Sequence, residues 1–104
     1  MKYLLGIDQG TTQTTAVIVT ELGEMVEKNS AQLPARFPKA GWVEQNPLDI
    51  LRTVKEACLP LLDKYEVTAA GFDNQGETFI LWDKDTGEPV TPAIVWQDTR
   101  GESV

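Results

Sequence analysis

The sequence contains no histidine and a single cysteine, and its basic residues are few. Each shortage removes a class of function. Without histidine, the commonest general base and the commonest metal ligand are missing. Any acid–base chemistry then falls to carboxylates, or to a part of the protein outside these 104 residues. One cysteine, Cys58, allows no internal disulfide and fits a reducing, cytoplasmic compartment. Nine Lys and Arg stand against sixteen Asp and Glu, a net charge of −7. That balance lacks the basic footprint of a nucleic-acid or anionic-membrane surface, so neither is expected as a partner. No apolar run approaches membrane-spanning length. The stretch from Met1 to Ile7 is too short for a signal-peptide core and runs into Asp8 with no small-residue cleavage site behind it. Internal repeats and low-complexity segments are also absent.

What remains is ordinary globular material, 41% apolar and 24% charged, long enough to bury a core. Lys2 to Ile7 is short and mostly apolar and reads as a buried strand. Thr14 to Thr20, rich in β-branched residues, reads as a second, joined to the first as a hairpin by a link of about five or six residues containing Gly10. Met25 to Gln32 reads as a third strand, completing an antiparallel meander. Pro34, Pro38 and Gly41 mark residues 33–42 as a loop. Asn46-Pro47-Leu48-Asp49 carries an N-cap, a first-turn proline and a first-turn acid, so a helix starts there. Its apolar stripe runs Leu48, Leu51, Val54, Cys58, Leu61, Tyr65, and Pro60 predicts a kink or an early end. Further strands are expected at Val67–Asp73, Glu77–Trp82 and Ala93–Trp96, with a turn at Asp83–Gly87. No closing helix is read in the last four residues, 101–104. The fold class is α/β, a mixed sheet in which a three-stranded antiparallel meander is followed by a helix and more strands.

The chemistry concentrates in Gly6-Ile7-Asp8-Gln9-Gly10-Thr11-Thr12. One tight turn there would hold a carboxylate, glycines and two hydroxyls. Asp8 can accept hydrogen bonds from metal-bound water, and Gly10 lets a phosphate approach the backbone without a Cβ clash. Thr11 and Thr12 offer N–H and O–H donors. No lysine and no helix N-terminus follow, so this is not a Walker-type loop. The same residues also suit a plain hairpin turn.

The segment resembles the first phosphate-binding turn of the actin-like ATPase superfamily, which includes sugar kinases, chaperones and actin. Four stretches choose within it. Phe37-Pro38-Lys39-Ala40-Gly41-Trp42-Val43-Glu44-Gln45-Asn46-Pro47, Asn74-Gln75-Gly76-Glu77-Thr78, Trp82 to Val90 and Ala93 to Arg100 resemble, in order, segments of FGGY-type carbohydrate kinases, those acting on glycerol above all. The resemblance implies a ribonuclease-H-like fold, ATP and Mg2+ as cofactors, and a small polyol or sugar as acceptor. It also implies that this chain is the opening part of the first of two domains, and it leaves room for a homo-oligomer of the full-length enzyme. By resemblance, Asp8 sits near the metal, and Gly10, Thr11, Thr12 and the backbone of Gln13 meet the transferred phosphate. Gly76, Glu77 and Trp96 belong to the acceptor pocket, whereas Trp42 and Trp82 are assigned to packing. No catalytic base is expected within these residues, because the family's aspartate lies far downstream. Two positions depart from the glycerol-type pattern: Gly76 and Thr15 replace arginines, which removes positive charge from the cleft. Either the acceptor is larger, or the charge comes from elsewhere, or the protein is an inactive paralogue. A non-catalytic, chaperone-like nucleotide-binding module is the alternative from another class, and the segments at residues 41–44 and 93–100 count against it.

Overall fold

A computed structural model of the chain describes residues 2–100. Its strands are β1 (Tyr3–Gln9), β2 (Gln13–Thr20), β3 (Met25–Gln32), β4 (Glu44–Gln45), β5 (Val67–Asn74) and β6 (Ala93–Ile94), with one helix among the described residues, α1 (Pro47–Leu62). The main sheet has the order β3-β2-β1-β5. β1 and β2, and β2 and β3, pair antiparallel, while β5 returns parallel to β1. This is the expected α/β arrangement of meander, helix and returning strand. The reading of residues 101–104 falls outside the described residues.

Alternation along β2 fixes which face is core. Thr14, Ala16, Ile18 and Thr20 are buried, and the residues between them are not. Ala16 and Ile18, with Leu5 of β1, meet Ala57, Cys58 and Leu61 of α1, and Tyr3, Ile7, Val54, Tyr65 and Val67 close the margins. Fully buried side chains such as Ile18 and Leu61 each contribute about 2 kcal/mol by leaving water. The opposite face of the sheet carries no helix among the described residues.

α1 starts as expected. Asn46 caps it, accepting from Leu48 N at 2.9 Å, and Pro47 opens the first turn. Two expectations fail. The stripe is rotated: Leu48 and Leu51 are 59% and 50% exposed, and the buried face is Thr53, Ala57, Cys58 and Leu61. Ala57 lets the helix lie close to the sheet, and the Thr53 hydroxyl finds a buried partner. It donates to the Ile50 carbonyl at 2.8 Å, so Thr14 of β2 must donate to Thr53 at 2.7 Å. The helix does not end at Pro60 but runs on to Leu62. The carbonyl that Pro60 leaves without an N–H partner, that of Glu56, accepts from the Asn29 side chain of β3 at 3.0 Å. The same amide reaches the Ala57 carbonyl at 3.1 Å.

The second half departs further. Residues 77–82 form no regular strand and touch neighbouring backbone only at isolated bridges, Phe79 with Ile94 and Trp82 with Pro89. The last expected strand shortens to β6, which pairs antiparallel with β4. Trp82, assigned to packing, is 60% exposed within these residues. The turn at Asp83 is as read: its carboxylate accepts from the backbone of Asp85 and Thr86, which holds it below the usual carboxylate range. No helix among the described residues is long and apolar enough to cross a membrane.

Candidate functional site

The hydroxyl-bearing turn is shorter than expected. Only Gly10, Thr11 and Thr12 join β1 to β2. The Gly10 N–H donates to the Gln13 carbonyl at 2.9 Å, and a Cβ on Gly10 would sit 3.0 Å from that oxygen. Glycine is therefore required by close approach rather than by an unusual φ. The Thr12 carbonyl accepts from Leu33 N at 2.9 Å, which ties the turn to the end of β3. Thr12 and Gln13 are exposed, and Thr11 is partly buried.

Asp8 is not in this turn. It lies within β1, exposed on the open face of the sheet, while the next side chain, Gln9, points into the interior. Its register partners are Thr15 on β2 and Asp73 on β5. The Thr15 hydroxyl bonds Ser30 at 2.9 Å. A concavity of about 450 Å3 over this face includes Asp8, Thr15, Val17, Phe72 and Asp73. Two carboxylates therefore stand side by side there. Among the described residues, no group of three or more His, Cys, Asp or Glu is placed to hold a metal ion.

The segment after β5 carries the other predicted residues. Gly76 is exposed, and the position its Cβ would take opens to free space. Glu77 is exposed and adopts φ 63°, a left-handed conformation uncommon outside glycine. Trp96 is 50% exposed, so it is not core. Glu77 and Trp96 meet in a concavity of about 250 Å3, shared with Phe79, Ile94, Asp98 and Arg100. Gly76 is not on its wall.

Asp98 and Arg100 form a staple that the sequence reading did not single out. Asp98 receives Arg100 through Nε at 2.8 Å and Nη2 at 2.6 Å, and the Val43 backbone N–H at 2.6 Å. The Arg100 guanidinium beside it, with these N–H donors, holds its carboxyl far below the usual range. Arg100 also reaches Glu44 at 2.8 Å and lies 3.9 Å over the Trp42 ring, which Lys39 approaches at 4.5 Å. Trp42 therefore packs, as read, and does so against two cations. Gly41 has φ 77°, and a Cβ there would collide with the Thr99 hydroxyl.

The turn and the acceptor-side concavity are joined by a ring of side-chain bonds. Trp96 Nε1 donates to Thr11 Oγ1 at 2.9 Å. Gln45 Nε2 donates to the Thr11 carbonyl at 2.6 Å, and Gln75 Nε2 donates to Gln45 Oε1 at 3.0 Å. Thr78 donates to Gln75 Oε1 at 2.9 Å, and Trp96 N donates to Thr78 Oγ1 at 3.1 Å, which closes the circuit. Thr11 and Trp96 are thus brought together, and Glu77 shares the concavity with Trp96, while Asp8 stays on the other side of the strand. Gln45 and Gln75 are the residues that sequence reasoning missed. A glutamine that ends up buried looks, in one sequence, like any polar residue between an apolar stretch and an N-cap.

Comparison with known proteins follows the same lines. Residues 3–104 match the family model described as the FGGY family of carbohydrate kinases, N-terminal domain. A glycerol kinase from Leifsonia xyli is 44% identical over 99% of this chain, and one from Ralstonia pickettii 38% over 100% of this chain. The chain spans only 21% and 22% of those relatives. The crystal structure of Plasmodium falciparum glycerol kinase with ADP superposes with a TM-score of 0.89 at 35% identity, covering 99% of this chain and 22% of that one. Gluconate kinase from Lactobacillus acidophilus gives 0.90 at 31%, covering 98% and 21%.

Proposed function

Since the chain belongs to the FGGY family of carbohydrate kinases, we propose that it is the opening part of the first domain of a cytoplasmic, ATP-dependent kinase. The acceptor is a small polyol or sugar, glycerol or a glycerol-like polyol first, in keeping with its glycerol kinase relatives. The observation that carries this reading is the Trp96–Thr11 bond, which joins a turn of phosphate-binding donors to a concavity with a carboxylate and an aromatic wall.

In this reading the Thr11 and Thr12 hydroxyls and the Gln13 backbone receive the transferred phosphate, with Gly10 permitting its approach. Glu77 accepts hydrogen bonds from acceptor hydroxyls, and the Trp96 ring excludes water from them. The acceptor oxygen bonds the γ-phosphorus as the bond to the ADP oxygen breaks, and the proton leaves to a carboxylate outside these residues. Asp8, with Asp73 beside it, suits Mg2+, which typically takes one or two carboxylates together with water and phosphate oxygens. When bound, that ion would neutralise developing phosphate charge. No arginine stands at positions 76 or 15. The guanidinium that does reach the concavity, Arg100, is engaged by Asp98 and Glu44.

The test is a coupled assay of ADP release, screening glycerol, longer polyols and ketoses. The full-length protein is expected to phosphorylate at least one of them, and the isolated 104-residue chain none. Turnover by the isolated chain, or none by the full-length protein on any acceptor, would overturn the reading.

A further inference from the structure

We propose that Gln45 and the Trp96 indole together form a positioning device that reserves the Thr11 hydroxyl proton for an oxygen of the transferred phosphate. The inference rests on the kinase reading and adds Gln45, a residue that touches neither substrate, to the machinery.

An indole N–H can only donate, so the Trp96 bond makes Thr11 Oγ1 an acceptor at that contact. A hydroxyl has one proton, and among the described residues no group accepts it from Thr11. The Thr11 carbonyl can only accept, which fixes the Gln45 amide with its nitrogen toward the turn. Gln45 Oε1 must then accept from Gln75 Nε2, which leaves Gln75 Oε1 to accept from Thr78. The Thr78 oxygen meanwhile accepts from Trp96 N. Each hydrogen bond of the ring thus has one direction, and the Thr11 hydroxyl proton takes part in none of them, so it is left for an external acceptor. Gln45 is fully buried, so its orientation is not averaged by water. Held at its carbonyl by Gln45 and at its oxygen by Trp96, Thr11 is preorganised as a donor.

The test compares equilibrium binding of ATP and ADP to the full-length protein, because ADP lacks the phosphate in question. Gln45→Met keeps the side chain's length and removes its donor and acceptor. Trp96→Phe keeps an aromatic wall and removes the N–H at a half-exposed position. The ratio of ATP to ADP affinity is expected to fall about tenfold in Gln45→Met, on the scale of one lost hydrogen bond. Turnover number should fall with it, and the acceptor KM should change no more than about twofold. A merely structural role would lower the melting temperature and weaken both nucleotides alike. An unchanged ratio in folded Gln45→Met overturns the proposal. Should that variant not fold, an unchanged ratio in Trp96→Phe overturns it, and a fall there supports it. Wild-type protein that binds neither nucleotide would instead sink the kinase reading itself.

Discussion

Gly76 and Glu77 are neighbours with backbones suited to each other's side chains. Gly76 has open space where a Cβ would go and no positive φ, so most residues would fit there. Glu77 sits at φ 63°, where glycine would be at ease and a side chain costs of order 1–3 kcal/mol. The strain falls on the residue assigned to the acceptor hydroxyls. Replacing Glu77 by glycine should raise stability by about 1 kcal/mol and abolish acceptor binding. Chemical denaturation and acceptor titration on one protein would check both signs; a destabilised variant would mean that the carboxylate, not the backbone, dominates there. Residue types pointed to Thr11 and Thr12 as phosphate donors, and the family resemblance pointed to Trp96 as a pocket wall. They did not show that Asp8 lies in the strand rather than the turn, because that depends on where pairing with Thr15 and Asp73 stops.

At the scale of elements, the meander and the helix start were legible because their signals are local: β-branched alternation, an N-cap and a first-turn proline. The rotated helix face was not, since it depends on Thr14 reaching Thr53 across 39 residues. Glu77 to Trp82 has strand composition, yet it finds no continuous partner and Glu77 turns the chain away from extended geometry. Pro60 was read from its general cost, whereas Asn29 on β3 supplies the missing donor. Asn29→Ala should therefore cost about 1 kcal/mol, and clearly less in a Pro60→Ala background, where the backbone supplies its own N–H. A double-mutant cycle measured by urea unfolding would show the coupling; additive losses would assign Asn29 to β3 alone.

At the scale of the whole molecule, the shape is open. The radius of gyration is 16.0 Å, against about 13 Å for a compact domain of this length. Phe72, Phe79, Leu81 and Trp82 are all exposed. Both features accord with the reading of the chain as part of a larger domain. The two halves are joined by the Asp98 staple, which bonds the Val43 backbone while Arg100 bridges to Glu44. Asp98 is held as the anion in the folded state, so its share of stability is complete above the unfolded carboxylate value of about 4 and is lost as pH falls below it. The wild-type stability curve should drop on the acid side of about pH 4, and Asp98→Asn should flatten that limb while lowering the plateau at neutral pH. Denaturant titrations across that range would check it; parallel curves would remove Asp98 from the acid transition.

The bonds that close on Thr11 come from positions 34 and 85 residues away along the chain. During synthesis the N-terminal end emerges first. Thr11 leaves the ribosome early, yet it lacks its second anchor until Trp96 has followed. The turn is thus among the first parts to be made, yet its bonding is complete only once the segment carrying Trp96 has followed.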